Sequence, residues 1–244
     1  MTRSVLFAGL ALLFLSMNVF ASSAGVNIWD ADLQGSVKSS SGELNLKNDL
    51  GLADDDIVQF RLDLNMLGPK AYLHYYKAAN HGTTTNVLNY NGTQLNGTGL
   101  GTVKSTFEQT IVDVNAGKSL VKTHALQVDL LGGLRYLDLS TKLRDNNDRS
   151  ASTSLKAVVP TIGFDAQTHI SNDLLAKASL SGIDIRLGGK KVDTYDLRYG
   201  LEYKPTDNIS IGAGIEKTKL FADDGDNRTD LHREGNYFEV VIKF

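Results

Sequence analysis

Asn236-Tyr-Phe-Glu-Val-Val-Ile-Lys-Phe244, the last nine residues of a 244-residue chain, alternate with a period of two. Phe238, Val240, Ile242 and Phe244 fall on one face of an extended strand. Tyr237, Glu239, Val241 and Lys243 fall on the other, because successive strand side chains point to opposite sides. The chain then stops on an aromatic residue. Domain ends commonly fray. An apolar stripe carried to the last residue therefore implies a paired closing strand whose stripe meets an apolar medium.

The same period governs most of the chain upstream. Val58, Phe60, Leu62, Leu64 and Met66 alternate with Gln59, Arg61, Asp63 and Asn65. Tyr195, Leu197, Tyr199, Leu201 and Tyr203 alternate with Asp196, Arg198, Gly200 and Glu202. Trp29, Ala31, Leu33 and Val37 set a stripe against Asp30, Asp32 and Lys38. Weaker versions run through 70–79, 111–116, 126–136, 158–167, 174–181 and 209–216, which gives ten segments. Gly68-Pro69 predicts a tight turn between the second and third. Pro160 lacks a ladder donor and predicts a bulge or local defect.

Charges such as Arg61, Asp63, Asp113, Asp129, Arg198 and Glu216 sit inside these strands. A soluble sandwich would turn them to water; a barrel in lipid would turn them to its lumen. Connections choose between the two. Those after the second, sixth and eighth segments are short, whereas 39–56, 80–105, 142–153 and 222–235 are long. Long and short connections at alternate ends point to an all-β transmembrane antiparallel up-and-down β-barrel. Ten strands are expected, or eight if the third and seventh segments are misread. A secreted sandwich is the competing fold.

The N-terminus agrees with export. Arg3 precedes an apolar or small-residue run through Leu15, and Val19-Phe20-Ala21 and Ser22-Ser23-Ala24 both suit signal peptidase. We expect a signal peptide over 1–21, with cleavage after Ala24 as the alternative, and a barrel domain over 22–244. The chain has no Cys, so no disulfide or lipid-bearing cysteine supports it. A net charge of -3 with no basic block excludes an electrostatic case for nucleic acid.

Leu44-Asn-Leu-Lys-Asn-Asp-Leu-Gly-Leu-Ala-Asp-Asp-Asp56, Gly133-Leu-Arg-Tyr-Leu-Asp138 and Tyr195-Asp-Leu-Arg-Tyr-Gly-Leu-Glu-Tyr203 carry a resemblance. The chain resembles a family of small proteobacterial outer-membrane β-barrel proteins of unassigned activity, within the outer-membrane protein A-like small-barrel superfamily. The export segment, the terminal Phe and the loop lengths lead us to expect a monomer in a Gram-negative outer membrane, in contact with its lipid and lipopolysaccharide, and the resemblance agrees. The resemblance also implies recognition of Phe238, Val240, Ile242 and Phe244 by the barrel-assembly machinery.

The expected lumen set is Arg61, Asp63, Asp113, Asp129, Arg135, Asp196, Arg198, Glu202, Glu216 and Glu239, joined by Asp30, Asp32, Lys38, Asp165, Lys177 and Lys243. Buried charges need partners, and small barrels have room for little beyond side chains. A structural network filling the lumen is therefore expected, with a porin-like cation path as the alternative. Trp29, Tyr136, Tyr195, Tyr203, Phe238 and Phe244 are expected to form interfacial girdles.

No cofactor motif occurs, and Asp54-Asp-Asp56 and Asp223-Asp-Gly-Asp-Asn227 miss the EF-hand spacing for metal. Asp230 lies beside His232, but no Ser or Asp stands at a recognisable catalytic spacing from any His. No enzyme is expected. The function expected is a structural membrane component or minor small-solute passage. An enzyme acting on lipid A or peptides, or an adhesin using the long loops, is the alternative.

Overall fold

The computed structural model describes residues 20–65, 70–97 and 101–244. The export segment up to residue 19 and the Gly68-Pro69 turn lie outside them. The strands are β1 (Phe20–Ser39), β2 (Gly42–Asn45), β3 (Asp55–Asn65), β4 (Lys70–Thr84), β5 (Val87–Tyr90), β6 (Thr93–Asn96) and β7 (Val103–Lys122). They continue with β8 (Leu126–Asp145), β9 (Ser150–His169), β10 (Leu174–Leu187), β11 (Lys190–Tyr203), β12 (Ile209–Asp223) and β13 (Arg228–Lys243).

Ten of these form an antiparallel barrel in the order β1, β3, β4, β7, β8, β9, β10, β11, β12, β13, closed by β13 on β1. The count is ten, not eight. Strand β2 extends the sheet beside the outer end of β1, and β5 pairs only with β6. Both ends of the barrel segment meet at the short-turn end, where Ser22 and Phe244 exchange backbone hydrogen bonds of 2.9 Å in each direction. Closure removes the free edges that an open sheet would expose.

The apolar face changes sides halfway along the barrel. Near the short turns it points outward: Val114, Leu134, Val158, Ile162, Leu201 and Ile242 are each 50–56 % exposed. Towards the long loops it points inward: Trp29, Ala31, Leu33, Phe107 and Leu137 are 0 % exposed. The reversal falls on adjacent apolar pairs. Ile28-Trp29 on β1, Tyr75-Tyr76 on β4, Ile111-Val112 on β7 and Tyr136-Leu137 on β8 each place one member outside and its neighbour inside. Tyr75, Val112, Tyr136 and Val158 are cross-strand partners in one outward row. Tyr76, Ile111 and Leu137 form the next row and are buried.

In the long-loop half polar side chains cover the outside and apolar side chains fill the bore. Each large aliphatic side chain so buried contributes about 1.5–3 kcal/mol. Two loop segments complete this core. Leu46, Leu50 and Leu52 turn in from the chain between β2 and β3, and Leu88, Tyr90 and Leu95 from the β5–β6 hairpin. Gly51 seats the first segment: its φ is +65°, and a Cβ there would come within 2.5 Å of the Thr83 carbonyl.

Several expectations are corrected by this reversal. Trp29 belongs to the internal core, not a girdle, and packs edge-on against Tyr76 with centroids 6.4 Å apart. Asp30, Asp32 and Lys38 face outward rather than into the lumen, because they are even-numbered on a strand whose buried face is odd. The strands run beyond their expected ends: β8 continues to Asp145, β9 starts at Ser150, and β12 and β13 leave only 224–227 between them. The long connections at 142–153 and 222–235 are therefore mostly strand. Pro160 causes no register shift against β8, but the β9–β10 ladder ends at Ile162–Gly182, two residues short of it. A residue with no N–H suits the end of a ladder.

Candidate functional site

The bore below the apolar core is polar and layered. In the chamber nearest the short turns, Lys70 Nζ donates to Asp129 Oδ2 at 2.5 Å. Asp129 also accepts from Ser119 Oγ at 2.5 Å and from Gln127 Nε2 at 2.8 Å. Arg61 reaches Asp63 at 2.9 Å and Asp165 at 3.7 Å. Lys177 pairs with Glu202.

The next layer crosses the bore. Arg135 on β8 grips Asp113 on β7 with two parallel bonds, Nε to Oδ1 at 2.6 Å and Nη2 to Oδ2 at 2.8 Å. Its Nη1 donates to Thr194 Oγ1 on β11 at 2.6 Å and pairs with Asp196. Thr218 Oγ1 donates to the other Asp196 oxygen at 2.7 Å. His74 lies 3.5 Å from Asp113 and 3.0 Å from the Gln59 amide oxygen. Arg198 pairs with Glu239 at 2.9 Å and lies over the Tyr237 ring, 3.7 Å from its centroid. Gln59 donates to Glu216 at 2.9 Å, tying β3 to β12. Two-point arginine–carboxylate bonds are among the stronger polar contacts; here one joins the neighbouring strands β7 and β8, while Arg135–Asp196 and Gln59–Glu216 reach across the bore to β11 and between β3 and β12.

A third layer separates ions from the apolar core. Arg233 on β13 donates to Gln109 Oε1 at 3.1 Å and Asn80 Oδ1 at 2.5 Å. Gln109 in turn donates to the Tyr76 hydroxyl at 3.1 Å. Among the described residues no carboxylate lies within 4 Å of Arg233, although it is 1 % exposed. Above it the apolar core fills the bore, and the β5–β6 hairpin is tied down by Asn91 Nδ2 to the Ser152 carbonyl and by Asn96 N–H to Asp145 Oδ2, at 2.9 and 3.2 Å. Asp145 carries several such bonds. Burial pushes its carboxyl up, but hydrogen bonds from Asn96, Asn147 and Arg149 outweigh this and hold it below the usual aspartate range.

The ten charged residues singled out from Arg61 to Glu239 all face this bore, as do Asp165, Lys177 and Lys243. The structure joins all of them but Lys243 into ion pairs or hydrogen-bonded layers. It places Asp32 instead on the outer wall, where Lys47 bridges it to Asp54. Asp230 and His232 also stand on the outer wall, 3.3 Å apart. Ser36, the cross-strand partner of Asp230, gives its hydroxyl to Glu43. Sequence reasoning missed Arg233, Asn80 and Gln109. Arg233 lay in an expected loop, and its neutral partners carry no charge pattern. Lys204, which lines the lower chamber, was missed because it sits at the mouth of a turn, outside the strand alternation.

No protein-family model matches the chain, and no curated protein matches it. Solved structures do. The outer membrane protease OmpT from Escherichia coli superposes with a TM-score of 0.63 over 94 % of this chain and 98 % of that one, at 8 % identity. The transport unit of the autotransporter AIDA-I from Escherichia coli gives 0.42 over 94 % and 92 %, at 10 % identity. The attachment invasion locus protein Ail of Yersinia pestis gives 0.37 over 91 % and 99 %, at 12 % identity. The OmpT superposition gives the chain the fold of an outer-membrane β-barrel protein. One expectation is overturned here. No enzyme was expected from a filled barrel without a motif, yet a barrel of the same build serves as a protease. At 8 % identity the likeness is one of fold alone.

Proposed function

We propose that this protein is a resident outer-membrane barrel that does not conduct. Its outer bore is sealed by an apolar core, and it offers a blind, charged chamber to the periplasm. The observation that carries this reading is the reversal of the apolar face between Ile28 and Trp29 and on the neighbouring strands. An exposed apolar belt suits lipid, and short turns with both termini at one end suit the periplasmic side of a bacterial barrel. The apolar core above the ion pairs is what closes the bore in this reading. Planar-bilayer recording of the full barrel tests the reading. No steady conductance is expected, and a stable open channel would reject the seal.

Export through a cleaved 1–21 segment is part of the same proposal. Ser23 and Ala24 pair with Lys243 and Ile242, and Ser22 bonds to Phe244. Cleavage after Ala21 keeps these contacts, and cleavage after Ala24 removes them. N-terminal sequencing of membrane-extracted protein is expected to begin at Ser22; a start at Gly25 would contradict this. The outward face of Phe238, Val240, Ile242 and Phe244 is the feature we assign to recognition by the assembly machinery.

A further inference from the structure

The lower chamber has a volume of about 260 Å³ and is lined by six cationic and five anionic side chains. The carboxylates are already taken. Asp63 and Asp165 face Arg61, Asp129 faces Lys70, Glu202 faces Lys177 and Glu239 faces Arg198. Two cations remain, Lys204 and Lys243. Among the described residues neither makes an ion pair within 4 Å; Glu202, already paired with Lys177, is the acid that acts on Lys243, and Lys204, Lys243 and Lys177 line one chamber. Both line the same chamber, at the end where Ser22 meets Phe244.

Two like charges held together and partly out of water oppose each other and lose hydration. A neutralising anion between them removes both penalties. We propose that Lys204 and Lys243, backed by Lys177, form an anion site that takes a phosphate group from the periplasmic side. Lysine acts there as a point charge and donor of up to three bonds, which suits a multiply charged oxyanion better than a single carboxylate. At about 30 Å³ per water, the chamber accommodates a phosphate with a small substituent. This site rests on the proposed orientation only for the source of its ligand, since binding itself can be measured without a membrane.

Isothermal titration of inorganic phosphate into the full barrel, in a non-ionic detergent at constant ionic strength, tests the site. Saturable binding is expected with phosphate and none with acetate or chloride. Lys204→Gln/Lys243→Gln is expected to weaken it at least tenfold, and Lys142→Gln on the outer wall to leave it unchanged. Equal binding by the double variant, or equal heats from acetate, would overturn the proposal. The variant relieves repulsion and keeps the ladder, so a thermal shift adds a second readout. Phosphate should raise the melting temperature of the parent and not that of the variant. Nanodiscs separate the sources. Phosphate binding that persists in phosphatidylglycerol discs supports a soluble ligand. Binding present in phosphatidylcholine discs but blocked in phosphatidylglycerol discs overturns the periplasmic source in favour of a lipid headgroup. A conducting barrel that still binds phosphate would reject the seal and keep the site.

Discussion

Arg135→Ala is expected to destabilise the barrel by about 3–5 kcal/mol, because removing one partner leaves uncompensated charge buried. Its side chain and that of Asp113 are each 5 % exposed, and the same guanidinium also pairs with Asp196 and bonds to Thr194. Two carboxylates would be left in the bore. Urea unfolding in detergent or liposomes reads the loss, and a change below about 1 kcal/mol would contradict so central a role. Removing the three charges together separates network from packing. Arg135→Met with Asp113→Leu and Asp196→Leu should recover most of the loss, since matched apolar replacements of buried ion networks are often neutral. No recovery would mean that the bore needs the charges themselves.

Phe107→Ala is expected to cost about 3–5 kcal/mol and to act on the outer half alone, as cavities in a packed apolar core are expensive. Phe107 is 0 % exposed and shares its core with Leu33, Leu139 and Leu143. Hydrogen exchange distinguishes a local effect from a global one. Amides around Leu139 should lose protection while those in the Val26–Val240 rung keep it. A uniform loss along both rungs would show that the two halves do not form separate cores.

The belt half of the barrel was legible because one rule governs it. Val58, Phe60 and Leu62 look outward and Arg61 and Asp63 inward for the whole length that lipid would touch, so alternation reads directly as face. The outer half breaks that rule without any break in the strand. Trp29, Ala31 and Leu33 continue the period of two and look like the same stripe, though they lie on the opposite face to Val26 and Ile28. Reading them as one stripe sent Asp30 and Asp32 into the lumen and Trp29 into a girdle. The signal was present in the doublets Ile28-Trp29, Ile57-Val58, Tyr75-Tyr76, Ile111-Val112, Tyr136-Leu137 and Val158-Val159. Two adjacent apolar residues must occupy both faces of a strand, so a doublet in most strands marks a ring where the medium changes.

The charged residues of the site were legible as types but not as partners. Arg135 and Asp113 are 22 positions apart and meet because β7 and β8 are paired in register at those residues. Arg233 could not be found, since its partners Asn80 and Gln109 come from distant strands and carry no charge.

The face reversal itself is the central claim, and the single tryptophan reports it. Trp29 fluorescence in bilayers of brominated phosphatidylcholine is the measurement. A blue-shifted emission is expected, weakly quenched both by brominated acyl chains and by acrylamide, because the indole lies inside the sealed bore. The Ile28→Trp/Trp29→Phe variant, with its indole moved one residue to the lipid face, should be quenched strongly by brominated lipid. Strong quenching of Trp29 itself by the brominated chains would place it on the outer wall and contradict the account.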